Sequence, residues 1–130
     1  MTAKILTALA LKYIAFMTGI GSDVPETDFQ HCLPEIFAEN IKKIENGKLI
    51  VTGYQELESQ LKNAQKFGAP WTLEILDVLV DESKNMAAIR FTWNSLKVGL
   101  HITTAILKFD KNHKITEIKE VYSVHGDVTH

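Results

Sequence analysis

The chain has 130 residues, 45% of them hydrophobic and 8% aromatic, with 14 basic against 16 acidic side chains and a formal charge of −2. This length suits one domain, residues 1–130, because a chain of roughly 150 residues buries about 68–70% of its unfolded surface in one core, and the apolar share excludes disorder. The balanced charge excludes a polycationic nucleic-acid footprint, and the single cysteine, Cys32, excludes a disulfide framework and a multi-cysteine zinc site, so a soluble cytoplasmic domain is expected.

The first expected element is a helix, in which Leu6, Leu9, Tyr13, Phe16 or Met17, and Ile20 recur at helical spacing. Lys4 before the apolar run Ile5–Leu11 also resembles a secretory signal. Lys12 interrupts that run, no small-x-small cleavage pattern precedes Gly19, and a lysine near its middle argues against a membrane span. We therefore read a buried helix stopped by Gly19 and Gly21, with no membrane association.

A short helix is expected over Asp28–Leu33, with Pro34 forcing a break or kink before Glu35–Ala38. Ile41–Glu45 and Lys48–Val51 flank Asn46-Gly47, the dipeptide best suited to a two-residue hairpin turn. Thr52-Gly53-Tyr54-Gln55 fits a capping box that opens a third helix, lined by Leu57, Leu61 and Ala64 and ended by Gly68 and Pro70. From Trp71 the pattern turns to strands: Trp71–Val80, Met86–Trp93, Val98–Phe109 and Ile115–Val124, separated by polar turns. Three helices and a small hairpin followed by four long antiparallel strands make an α+β domain, with the helices on one face of a curved sheet.

This order resembles the nuclear transport factor 2-like superfamily of cone-shaped folds (cystatin-like), which contains SnoaL-like polyketide cyclases and ketosteroid isomerases. The resemblance rests on Lys12-Tyr13-Ile14 in the first helix, Phe37-Ala38-Glu39-Asn40-Ile41 leading into the hairpin, Gly53 at the third helix, and Leu107–Ile115 at the last turn. It implies helices closing a cone whose concave sheet face lines a pocket. Matching the strands to that cone implies that Ile89, Phe91 and Trp93 point inward, with His101, Thr103, Ala105, Leu107 and Phe109, then Ile118, Glu120 and Tyr122. Period-two alternation supports this division, leaving Val98, Leu100, Ile102, Thr104 and Ile106 on a second face. That face is also apolar and should be covered. The resemblance implies a homodimer formed through it.

Tyr13 matches the first-helix tyrosine that donates to a developing oxyanion in ketosteroid isomerases, a role suited to a preorganised donor in a water-poor pocket. It equally fits an ordinary core tyrosine. The isomerase base falls near Glu45-Asn46. Glu45 stands beside the turn and opposite Lys48, so a solvated cross-strand ion pair is expected for it. The isomerase's second acid falls on Ala105, so its two-donor oxyanion hole is missing and steroid isomerisation is disfavoured.

The inward polar set is His101, Thr103, Glu120 and Tyr122. A histidine and a carboxylate on facing strands could form an acid–base pair, whereas a one-residue bulge in the last strand would turn Glu120 to solvent. Tyr13, His101 and Glu120 are the candidate catalytic residues, as donor, base and orienting or acidic group. Met17, Trp93, Thr103, Ile118 and Tyr122 are the candidate ligand contacts.

The five histidines (31, 101, 113, 125 and 130) show no metal-ligand spacing, and the 7 glycines form no phosphate loop, so neither a metal nor a cofactor is expected. Cys32 beside His31 reads as a structural thiol. Asp23, Glu26, Asp28, Glu35 and Glu39, with no lysine or arginine among them from Tyr13 to Ile41, suggest an acidic face.

Two functions are compatible with these residues. One is a cofactor-free, SnoaL-like enzyme moving protons on a small apolar molecule by isomerisation, cyclisation, hydration or dehydration. The other is a non-catalytic dimeric pocket or association module. Convergence of the polar groups on one substrate position distinguishes them.

Overall fold

Thr2 opens the first helix by accepting the Ile5 amide on its hydroxyl, and the chain then coils from Ala3 to Ile20 (α1) before Gly21 closes it. A computed structural model describes residues 1–22 and 27–124; Asp23, Glu26, His125 and His130 of the patterns above lie outside them. The remaining elements are α2 (Phe29–Ile36), β1 (Phe37–Glu45), β2 (Lys48–Thr52), α3 (Gly53–Gly68), β3 (Trp71–Asp81), β4 (Met86–Ser95), β5 (Gly99–Phe109) and β6 (Ile115–Val124). The architecture is α+β, three helices on a curved, unclosed six-stranded sheet.

Two local expectations are corrected, and a third holds. Helix α2 runs through Pro34 to Ile36, because Asp28 caps its start and the proline falls in the last turn, where only one bond is forfeited. Phe37 and Ala38 therefore begin a strand. The capping box at α3 is also different: the Thr52 hydroxyl caps nothing, and the Glu56 carboxylate accepts the Thr52 amide instead. Asn46 and Gly47 both take positive φ, 48° and 84°, as a tight hairpin turn with the twist of its strands requires.

The strand order is β2-β1-β6-β5-β4-β3. The four long strands pair antiparallel, as expected, but β1 runs parallel to β6, so the sheet as a whole is mixed. That pairing sets Glu45 beside Glu120 and Lys43 beside Ile118. The core fills the concave side: Leu6, Tyr13 and Ile20 of α1 and Leu57 and Leu61 of α3 meet Ile41, Ile89, Ala105, Leu107 and Ile118 of the sheet.

Trp71 ties helix to sheet. Its indole N–H donates to the Met17 carbonyl at 3.0 Å, and its amide donates to the Gly21 carbonyl at 2.9 Å. A methyl group at Gly21 would collide with that indole, although its backbone (φ −89°) accepts any residue. Gly21→Ala is therefore expected to cost about 1–3 kcal/mol by overpacking and to shift tryptophan emission, both measurable in urea unfolding followed by fluorescence.

Candidate functional site

The concave face, α1 and α3 enclose a cavity of about 280 Å³. That is near the lower end of small-molecule pockets, which run about 300–1,000 Å³. Its walls are Met17 of α1, Ala64 of α3, Trp71 and Leu73 of β3, and Phe91 and Trp93 of β4. Its polar lining is Lys43 and Glu45 of β1, Gln60 of α3, His101 and Thr103 of β5, and Glu120 and Tyr122 of β6.

Alternation explains the polar end. Ile41 is buried, so Lys43 and Glu45 share its face, and Ile118 does the same for Glu120 and Tyr122. Lys43 is only 3% exposed and Glu120 8%. The Lys43 ammonium lies 3.4 Å from Glu45 Oε2 and 3.7 Å from Glu120 Oε1, and donates to Gln60 Oε1 at 3.2 Å. Gln60 Nε2 donates in turn to Glu45 Oε2 at 3.3 Å. Two carboxylates on neighbouring positions of adjacent strands repel. Lysine and glutamine are what this site offers against that repulsion.

Burial holds the Glu120 carboxyl above the ordinary carboxylate range, and the charge of Glu45 adds to the shift. The Lys43 ammonium and the Tyr13 hydroxyl pull it back down. Hydrogen bonding with the Glu45 side chain shifts it in the same direction as the Glu45 charge. Burial, then Glu120, keeps the Tyr13 phenol well above its usual value, so it stays protonated and donates to Glu120 Oε2 at 3.3 Å. Tyr122 is raised by burial and by Glu45, and its amide donates to the Asn46 side chain, which pins the hairpin turn onto β6.

Of the expected residues, Met17, Trp93, His101, Thr103, Glu120 and Tyr122 line the cavity. Tyr13 and Ile118 do not: both are 1% exposed, packed in the core beside it. Tyr13 touches Glu120 rather than the cavity, so it positions the carboxyl instead of meeting a ligand. No bulge turns Glu120 outward; the irregularity between β5 and β6 sits at Lys108/Phe109 instead.

The expected pairing of His101 with Glu120 is corrected by the register. Glu120 pairs with Ala105, four residues along β5 from His101, which separates the two backbones by about 13 Å at strand rise. The imidazole packs against the rings of Trp93 and Tyr122, at 4.9 and 5.8 Å between centroids. Glu45 is corrected too. Its backbone does pair with Lys48, but its side chain turns inward to Lys43 and Gln60.

Lys43 and Gln60 carried no signal beyond the parity of Lys43 with Ile41. Among the described residues, no cluster of three histidine, cysteine, aspartate or glutamate side chains is placed to hold a metal ion.

No family model matches the chain, and no curated protein resembles it in sequence. Solved structures do resemble it in fold. A proposed isomerase of the SnoaL-like family from Agrobacterium tumefaciens superposes with TM-score 0.71 at 13% identity, over 92% of this chain and 98% of that one. A proposed SnoaL-like polyketide cyclase from Shewanella denitrificans gives 0.73 at 16%, over 92% and 90%. A protein of unknown function with a cystatin-like fold from Methylobium petroleophilum gives 0.73 at 14%, over 100% and 83%. At such identities the likeness is one of fold, and activity must be argued from the site.

Proposed function

We propose that this chain, which has the cone-shaped cystatin-like fold of SnoaL-like and nuclear transport factor 2-like proteins, moves a proton on a small, largely apolar molecule held in the cavity, without a cofactor. Isomerisation, cyclisation, hydration and dehydration all begin with such a step. The observation that carries this reading is the pair Glu45 and Glu120, paired on adjacent strands of a largely apolar cavity, with the Lys43 ammonium 3.4 and 3.7 Å from them.

Glu120 holds its proton to higher pH than a free carboxyl and serves as the acid. Its neighbour Glu45 serves as the base, and the Lys43 ammonium opposes negative charge that develops on the substrate. Tyr13 keeps the Glu120 carboxyl oriented.

The test is deuterium wash-in from heavy water into small cyclic ketones, with and without an amino substituent, followed by mass spectrometry. Exchange at the carbon next to the carbonyl, faster than in buffer, is the expected result. Buffer-level exchange throughout the panel would leave the non-catalytic pocket as the better account.

The convex sheet face supports a homodimer as the working form. Leu79 and Val121 are 71% and 65% exposed there, next to Ala88, Ile102 and Ile106. Sedimentation is expected to give a dimer at micromolar concentration and a monomer for Val121→Glu. A monomeric parent protein would exclude the assembly.

Helix α1 is long and apolar enough to cross a membrane by length and composition. Its burial of Leu6, Ala10, Tyr13, Ile14 and Ile20 against the rest of the fold supports a core helix rather than a membrane span, and the location we infer is cytoplasmic.

A further inference from the structure

Resting on the reading that this cavity is the functional site, we propose that its ligand is a small organic cation: an ammonium group on a compact apolar body. Two independent features of the cavity point to that class.

The first is a charge count. The lining carries Glu45 and Glu120 against the single lysine Lys43. One negative charge is therefore left over in a site whose other walls are mainly apolar, where an unbalanced charge is costly. A bound cation removes that excess. An anion would have to take Lys43 from two carboxylates and Gln60.

The second is the arrangement of rings. Trp71, Trp93, His101 and Tyr122 come one from each of the four neighbouring strands β3 to β6, and all line the cavity. Successive centroids lie 5.3, 4.9 and 5.8 Å apart, and successive planes are inclined by 46°, 82° and 55°. Rings inclined in this way are not stacked, and an alkylammonium group that lies against the face of one of them is held by cation–π attraction. The carboxylates lie two residues further along, since Tyr122 follows Glu120 on the same face of β6.

The groups that govern the pH dependence are Tyr13 from α1, Lys43 and Glu45 from β1, Gln60 from α3, His101 from β5 and Tyr122 from β6, all around Glu120 or the rings. Acid adds a proton to Glu120, so cation binding weakens as pH falls.

Both tryptophans of the chain line the cavity, so their fluorescence reports occupancy directly. The experiment titrates the intact protein with phenyltrimethylammonium, its uncharged isostere tert-butylbenzene, and benzoate. The expected result is binding of the cation about tenfold tighter than the isostere, the size a desolvated cation–π contact supplies. Glu45→Gln and Glu120→Gln are each expected to erase that preference. An isostere that binds as tightly as the cation, or benzoate binding tightest, overturns the proposal; deuterium wash-in would then still support the acid–base cavity. No quenching by any of the three probes overturns both.

Discussion

Lys43→Met is expected to lower the unfolding free energy by about 3–5 kcal/mol at neutral pH, the usual cost of removing one partner from a buried ionic group. Methionine keeps the unbranched stem that lies in the core, so packing changes little. What is lost is, among the described residues, the one ammonium between Glu45 and Glu120, which the β1–β6 register places side by side. The carboxylates then face each other with Gln60 and Tyr13 as remaining partners. Their repulsion disappears once Glu120 takes up its proton, so the deficit should shrink as pH falls. Urea unfolding at neutral and mildly acid pH measures both. A loss below about 1 kcal/mol at neutral pH, the worth of an exposed ion pair, would show that Lys43 does not hold the two carboxylates together.

Glu120→Gln is the second large effect. The amide keeps the size of the side chain and can still accept from Tyr13, but it cannot carry the proton. The proposed transfer should therefore slow by about 10²–10⁴-fold, the range for removing a general acid or base. Deuterium wash-in at fixed ketone concentration reads this, and unchanged exchange would dismiss Glu120 as the acid.

The same substitution has a signature in stability. Burial raises the folded pKa of Glu120 above its unfolded value, so the native state binds the proton more tightly. Its contribution is fully present below the unfolded pKa and is lost as pH rises through the folded one. Wild-type stability should fall over that window, while Glu120→Gln should lack that part of the slope. Unfolding midpoints across the acid to neutral range test the sign independently of activity.

The elements were legible because each has a local cause. Asn46-Gly47 permits the positive φ of its turn, Thr2 and Asp28 cap their helices, and alternation from Ile89 to Tyr122 separates the two sheet faces. Pro34 misled because a helix tolerates proline when the lost bond lies near its end. The candidate site was legible only in half. Glu120, Thr103, Tyr122, Trp93 and Met17 follow from parity and the resemblance, whereas Lys43 and Gln60 do not. A lysine in a short strand beside a turn has the composition of a solvated edge, and nothing nearby in sequence says otherwise.

Sequence by itself determined most of the helix and strand segments, which strand residues share a face, and that a chain of near-neutral charge carries an apolar surplus on both sides of its sheet. Period, capping and turn chemistry act over a few residues, so one chain suffices to read them. Only the tertiary structure decided that β1 joins β6 in parallel, which brings Lys43, Glu45 and Glu120 together, moves His101 to the ring wall and leaves Tyr13 behind the carboxyl. Pairing between strands some 75 residues apart depends on how the helices and the whole sheet pack. The charge left over in the cavity is set by that pairing alone.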